Sequence, residues 1–151
     1  MTTILNPTIQ VSVAGVREIQ TGIWYGTLTS QAISGNSTPQ TIQILAGAGA
    51  FGSDAIFAIL PDGIQLLEKT AVELILNATI SDPSIGNKYL GIRFDVDPPA
   101  SMRSFATFVN GYANLAYAGL AQSADTIRIV ISSDALISLN AGTVTIRADL
   151  L

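Results

Sequence analysis

The stretch Val72-Glu73-Leu74-Ile75-Leu76-Asn77-Ala78-Thr79-Ile80 sets Val72, Leu74, Leu76 and Ile80 against Glu73, Asn77 and Thr79. This is a period of two, that of a β-strand with one face buried. The alternation recurs on both sides of it. Upstream, Ile9, Val11 and Val13 oppose Thr8, Gln10 and Ser12, and Ile42 and Ile44 oppose Thr41 and Gln43. Downstream, Leu90, Ile92, Phe94 and Val96 oppose Arg93, Asp95 and Asp97. Ile127, Ile129 and Ile131 share one face, and Val144, Ile146 and Ala148 oppose Thr143, Thr145 and Arg147. β-Branched and aromatic residues dominate these runs, as a pleated, half-buried surface requires.

Turn signals separate the runs. Pro61-Asp62-Gly63 reads as a tight hairpin between Ala55–Leu60 and Ile64–Leu67, with proline presetting φ and glycine in the left-handed position. Residues 35–39 and 81–87 read as loops. Asp97-Pro98-Pro99 ends a strand, because proline cannot donate to a ladder, and Asn140-Ala141-Gly142 introduces the last one. About nine or ten strands at this spacing predict an all-β chain. The expected fold is a single β-sandwich domain over residues 1–151, jelly-roll-like, with at most one or two short helices. Tyr112–Gln122 is the main helix candidate, since Tyr112, Leu115, Ala116, Gly119 and Leu120 follow helical spacing; a small-residue strand is the alternative. A single helical turn is also expected at Ser133–Leu136, with Ser133 as N-cap.

Composition narrows the function classes. The 151 residues include no His and no Cys, and the 7 basic and 11 acidic side chains make up only 12% of the chain, about half the usual share of roughly 25%. Polarity comes instead from 14 Thr, 13 Ser, 7 Asn and 7 Gln. Such a surface costs less to desolvate than one rich in Lys and Glu, and interface cores are depleted in charge. Coverage by other protein is therefore expected. Net charge is −4, and Arg17, Lys69, Lys88, Arg93, Arg103, Arg128 and Arg147 are scattered. No basic patch forms, so nucleic acid is not an expected partner. No run approaches the ~18 apolar residues of a membrane span, and the N-terminus lacks the features of a secretory signal. No membrane partner is expected, and synthesis in a cytoplasm is the default.

Without His and Cys the usual proton shuttle, thiolate nucleophile and zinc ligands are missing. Only Lys69 or Lys88 could activate a serine, and neither stands in a Ser-x-x-Lys setting. The expectation is a non-enzyme without a cofactor. Asp95 and Asp97 are the candidate metal or acid–base pair, because i and i+2 of a strand share a face. The plain alternative is a polar outer strand face paired with Arg93 or another arginine. Ala46–Gly52 is a small-residue patch, read as a surface loop or a close backbone approach, and no Gly-Lys-Ser/Thr follows it. Phe105, Phe108 and Val109 are expected to split between two faces of one strand. Trp24 and Tyr25 are candidates for core, interface anchor or sugar platform. With them, Ile4, Leu5, Pro7, Leu150 and Leu151 form the expected interface set. Met1–Pro7 would be an N-terminal arm reaching a neighbour.

In its missing Cys and His, low charge, size and Thr/Ser/Ile-rich strands, the whole chain resembles the small capsid decoration or cement proteins of tailed bacteriophages. The resemblance implies a β-rich homo-oligomer, a trimer by preference, that bridges subunits of a major capsid protein and resides in the virion. A jelly-roll major capsid protein is a sibling reading. A small carbohydrate- or ligand-binding β-sandwich module is the alternative from another class.

Overall fold

The computed structural model describes residues 20–45, 56–82, 84 and 86–151. The Met1–Pro7 arm with Ile4, Leu5 and Pro7, the Thr8–Val13 alternation and the Ala46–Gly52 patch lie outside the described residues. The described strands are β1 (Thr21–Leu28), β2 (Gln31–Ile33), β3 (Gln40–Thr41), β4 (Ile44–Leu45), β5 (Phe57–Leu60), β6 (Gly63–Leu66), β7 (Thr70–Ile80), β8 (Lys88–Phe94), β9 (Ser104–Thr107), β10 (Tyr112–Ala121), β11 (Thr126–Ser133) and β12 (Ile137–Leu150). No helix occurs among the described residues.

Two antiparallel sheets pack face to face. The first runs β10-β7-β12-β1-β4, with β2 also on β12; the second runs β5-β6-β11-β8-β9, with β3 also on β11. Pairing goes from the outside of the chain inward: β1 with β12, β6 with β11, β7 with β10, β8 with β9. This is one long antiparallel ribbon bent at the β8–β9 connection. Rolling it brings β12 against β7 and β11 against β8, which closes the two sheets. The sandwich is a jelly roll.

The alternation read from the sequence sorts inside from outside. Val72, Leu74, Leu76 and Ile80 of β7, Leu90, Ile92 and Phe94 of β8, Ile127, Ile129 and Ile131 of β11, and Val144, Ile146 and Ala148 of β12 form one buried cluster. Ile42 is also buried, but it lies between strands. There the chain passes from the second sheet (β3) to the first (β4), and the Ile42 N–H donates to the Ile129 carbonyl. β11 is buried on both faces, Val130 and Ser132 included. Ser37, Pro39, Ala100 and Met102 come together over its outer side. Met102 fits there because position 91 is glycine: a Cβ at Gly91 would lie 2.6 Å from the Met102 sulfur.

Several expectations are corrected. Tyr112–Gln122 is no helix: Tyr112 to Ala121 pair without interruption with Thr79 to Thr70 of β7. Leu115 points inward and Leu120 outward, so the apparent helical spacing joins opposite faces. A ladder partner for each residue outweighs the weak helical pattern. Ser133 ends β11 instead of capping a helix, and its hydroxyl accepts from the Ala135 N–H at 3.1 Å and donates to the Ala135 carbonyl at 2.6 Å. The β5–β6 hairpin turns at Pro61-Asp62, but Gly63 sits in the ladder opposite Leu60 without a left-handed φ. Glycine is needed there for space, since a Cβ would meet the Ile127 carbonyl at 2.9 Å. Asn140-Ala141-Gly142 does not begin a strand; β12 is already running and bulges between Leu139 and Ala141. β8 stops at Phe94, which leaves Val96 exposed in a turn. β9 ends at Thr107, so buried Phe108 and exposed Val109 fall in the connection after it.

Candidate functional site

Asp95 and Asp97 do not share a strand face. Asp97 closes a turn on the end of β8: its carboxylate accepts the Phe94 N–H, and its own N–H donates to the Phe94 carbonyl, both at 2.9 Å. Each carboxylate then meets its own guanidinium. Asp95 accepts from Arg128 Nε and Nη2, both at 2.8 Å. Asp97 accepts from Arg103 Nε at 3.1 Å and Nη2 at 2.6 Å, while the Arg103 guanidinium lies 3.8 Å from the Phe94 ring centroid. The Arg128 hydrogen bonds hold the Asp95 carboxyl below the usual range despite partial burial. Burial pushes Asp97 up, but the bonds from Arg103 and the Phe94 N–H outweigh it, and the net direction is down. Arg128 also reaches Asp62 Oδ1 at 2.8 Å, so it ties the Pro61-Asp62 turn to the end of β8. These forks are arranged as ties between turns. Among the described residues no three His, Cys, Asp or Glu side chains gather as a metal site.

A second polar cluster carried no signal in the sequence. Lys88 opens β8 and is buried, with Nζ 3.3 Å from the Ser84 hydroxyl, 3.4 Å from Asp134 and 3.8 Å from Asp82. Asp134 also accepts the Asn87 N–H at 3.2 Å. That bond chiefly, with Lys88, lowers the Asp134 pKa; for Asp82 the Ser84 bonds come first. The cluster fastens the connection before β8 to the one after β11.

The strongest candidate is a surface, the outer face of the first sheet. Register places its side chains in rows across β10, β7, β12 and β1. One row is Asn114, Asn77, Thr143, Thr27; the next is Ala116, Ile75, Thr145, Tyr25; the next is Ala118, Glu73, Arg147, Ile23. Tyr112 and Leu120 stand at the two ends of β10. Tyr25, Ile75, Tyr112 and Leu120 are each about half exposed or more. The amides and hydroxyls between them bond to each other. Asn77 Oδ1 accepts from Tyr112 Oη at 2.8 Å and from Asn114 Nδ2, and Asn77 Nδ2 donates to Thr143 Oγ1 at 3.1 Å. The face carries few charges: Arg147 donates to Asp149 at 3.3 Å, and Glu73 stands opposite Arg147 in the register. Small residues leave shallow depressions beside the knobs, one of about 280 Å³ at Ile75, Ala116 and Ala118, another of about 170 Å³ at Tyr112, Ala141 and Gly142.

The expected interface set is divided by this geometry. Tyr25 belongs to the face. Trp24, its neighbour on β1, points the other way and is buried in the core, which answers to the core reading and takes it out of the interface set. Leu150 is half-buried at the end of β12, where its N–H donates to the Gln20 carbonyl. Leu151 is exposed, and its N–H donates to the Lys69 carbonyl. Sequence reading missed Ile75, Tyr112 and Leu120 as surface residues, because an apolar residue in a strand reads as core until its partner strands are known. The opposite side of the sandwich carries a groove of about 370 Å³, lined by Pro39, Tyr89, Met102 and Phe105 among others. The chain matches no protein-family model and no curated protein.

Proposed function

We propose that this chain is a non-enzymatic structural subunit of a multi-copy protein assembly, and that the outer face of the first sheet is the surface it buries. One observation carries the reading. Exposed Tyr25, Ile75, Tyr112 and Leu120 stand on a face whose other groups are mostly small, neutral or bonded to each other, with Glu73, Arg147 and Asp149 as its few charges. Burying it strands little uncompensated charge, so desolvation is cheap. The jelly roll is compatible, since it hosts viral capsid domains, but it also hosts lectins and cupins and does not select among them. Within this reading the chain serves as a capsid decoration or cement protein of a tailed phage. It is a homo-oligomer, trimeric by preference, seated on a major capsid protein in the virion.

A ligand-binding module is the second reading, and the Tyr89–Phe105 groove is what favours it. Those rings meet at 77° with centroids 5.4 Å apart, which offers a sugar no flat stacking platform. Native mass measurement of the purified chain across concentration decides between the readings. Oligomers that Ile75→Lys dissociates support the assembly subunit. A monomer at every concentration, without affinity for capsid shells, overturns it.

A further inference from the structure

We infer that β10 is an open edge on which a second copy of this chain pairs, β10 against β10, antiparallel about a two-fold axis. The inference rests on the reading of the chain as an assembly subunit and adds where copies meet. It begins with the backbone. The Ile80 N–H donates to the Gly111 carbonyl, whereas Tyr112 exchanges both its hydrogen bonds with Val109, away from β7. In an antiparallel ladder these orientations alternate, and the β10–β7 register runs unbroken from Tyr112 to Ala121. The N–H and C=O groups of Asn114, Ala116, Ala118 and Leu120 therefore all point away from β7. β10 is the end strand of its sheet, and no described strand pairs with that edge.

Exposed edges are normally protected by charge, proline, a bulge or shortness. β10 has none of these. It is 10 residues long, its register carries no shift, and from Ser104 to Ala124 there is no Asp, Glu, Lys, Arg or Pro. The surroundings are apolar as well: Phe105, Val109, Tyr112 and Leu120, all exposed, lie on β9, β10 and the connection between them. That connection turns at Asn110-Gly111, both at positive φ, the two-residue turn suited to antiparallel chains.

A second copy fits this edge better than a partner of other composition. Centred on Tyr117, antiparallel self-pairing sets Ala116 opposite Ala118 and Asn114 opposite Leu120, and satisfies every outward N–H and C=O of those residues on both strands. It brings no like charges together, because the segment holds none. A ten-residue strand is about 34 Å long, and a side two sheets thick is about 20 Å across with its side chains. Two copies would bury roughly 1,300 Å² in total, within the range of stable dimers. An isologous contact also closes on itself, because the two β10 edges consume each other. It predicts an even number of copies, so a trimer of the kind proposed above would pair through β10 into a hexamer.

The experiment uses the full chain. Native mass across concentration is combined with hydrogen exchange at the amides of Asn114, Ala116, Ala118 and Leu120. The expected result is an even oligomer in which these amides become protected as concentration rises. Ala118→Pro removes a donor that β7 does not use, where an edge tolerates proline. It should weaken association by about 100-fold or more while leaving the circular dichroism spectrum unchanged. Should that variant misfold, Ala118→Glu sets like charges near the axis, and its weakened pairing should recover with salt. The inference is overturned if these amides exchange freely in the oligomer, or if their protection is independent of concentration, as occupation by the chain's own N-terminal segment would give. It is also overturned if Ile75→Lys dissociates the oligomer while both Ala118 variants leave it intact; the assembly reading then survives alone. A monomer under all conditions sinks both.

Discussion

The six-membered ring of Trp24 occupies the space in which a side chain at Gly26 would stand: a Cβ there would lie 2.6 Å from Trp24 Cζ3. Both residues face inward on β1, so the glycine is what lets the indole lie flat along its own strand. Tyr117 repeats the arrangement over Gly119, where a Cβ would meet Cζ at 2.8 Å. Tyr117 also packs edge-on against Phe94, with centroids 6.2 Å apart. Gly26→Ala should therefore displace the indole and destabilise the fold by about 1–3 kcal/mol. Thermal unfolding and a red shift of the single tryptophan's fluorescence check this; an unchanged spectrum would mean that the ring does not depend on the glycine.

Acid should destabilise the fold, and neutral pH should not. Hydrogen bonds and neighbouring cations hold the carboxyls of Asp82, Asp95, Asp97 and Asp134 below the ordinary aspartate value. A depressed carboxyl contributes stability that is fully present above its unfolded pKa of about 3.9 and is lost as pH falls through the folded value. The chain has no His or Cys to titrate in between. The melting temperature should be nearly flat from about pH 5 to 8 and fall below about pH 4. A transition near pH 6.5 would contradict this assignment.

Lys88 needs its carboxylates. Asp134→Ala removes its closest charged partner and also the acceptor of the Asn87 N–H. A buried ammonium left with only Ser84 and the more distant Asp82 should lower the stability of the fold. Chemical denaturation measures the loss. Lys88→Met in the Asp134→Ala background should recover part of it, because the uncompensated charge is then gone.

Two backbone positions should respond in opposite directions. Gly111 has φ 78° in the turn between β9 and β10, and Ala124 has φ 70° in the turn before β11. The left-handed region costs a residue with a Cβ about 1–2 kcal/mol. Gly111→Ala should destabilise by that amount. Ala124→Gly should stabilise by up to about 1 kcal/mol, after the larger unfolded-state entropy of glycine is offset. Comparing the two melting temperatures tests both.

The candidate surface was only partly legible in sequence. Low charge and abundant Thr, Ser, Asn and Gln suggested a buried surface, and Tyr25 was picked out, but Ile75, Tyr112 and Leu120 were not. Those three join Tyr25 on one face only through pairings such as Ile75 with Thr145 and Ala116. The Asp95-Val96-Asp97 spacing allows a paired site, but β8 ends at Phe94, three residues short of Asp97, and Arg128 and Arg103 take the carboxylates separately, as the arginine-paired alternative has it.

By itself the sequence determined the all-β class and the inward sides of β7, β11 and β12, because period-two burial is written in neighbouring residues and needs only an extended chain. Tertiary structure alone decided that Tyr112–Ala121 is a strand, that Val130 and Ser132 are covered, and that β10 is left at an edge. Each of these depends on what lies alongside, and in a jelly roll that partner is far away in the chain: the Thr21 hydroxyl bonds Asp149 across 128 positions. Local propensity is too weak to encode such a choice, and it is the rolling of the whole ribbon that makes it.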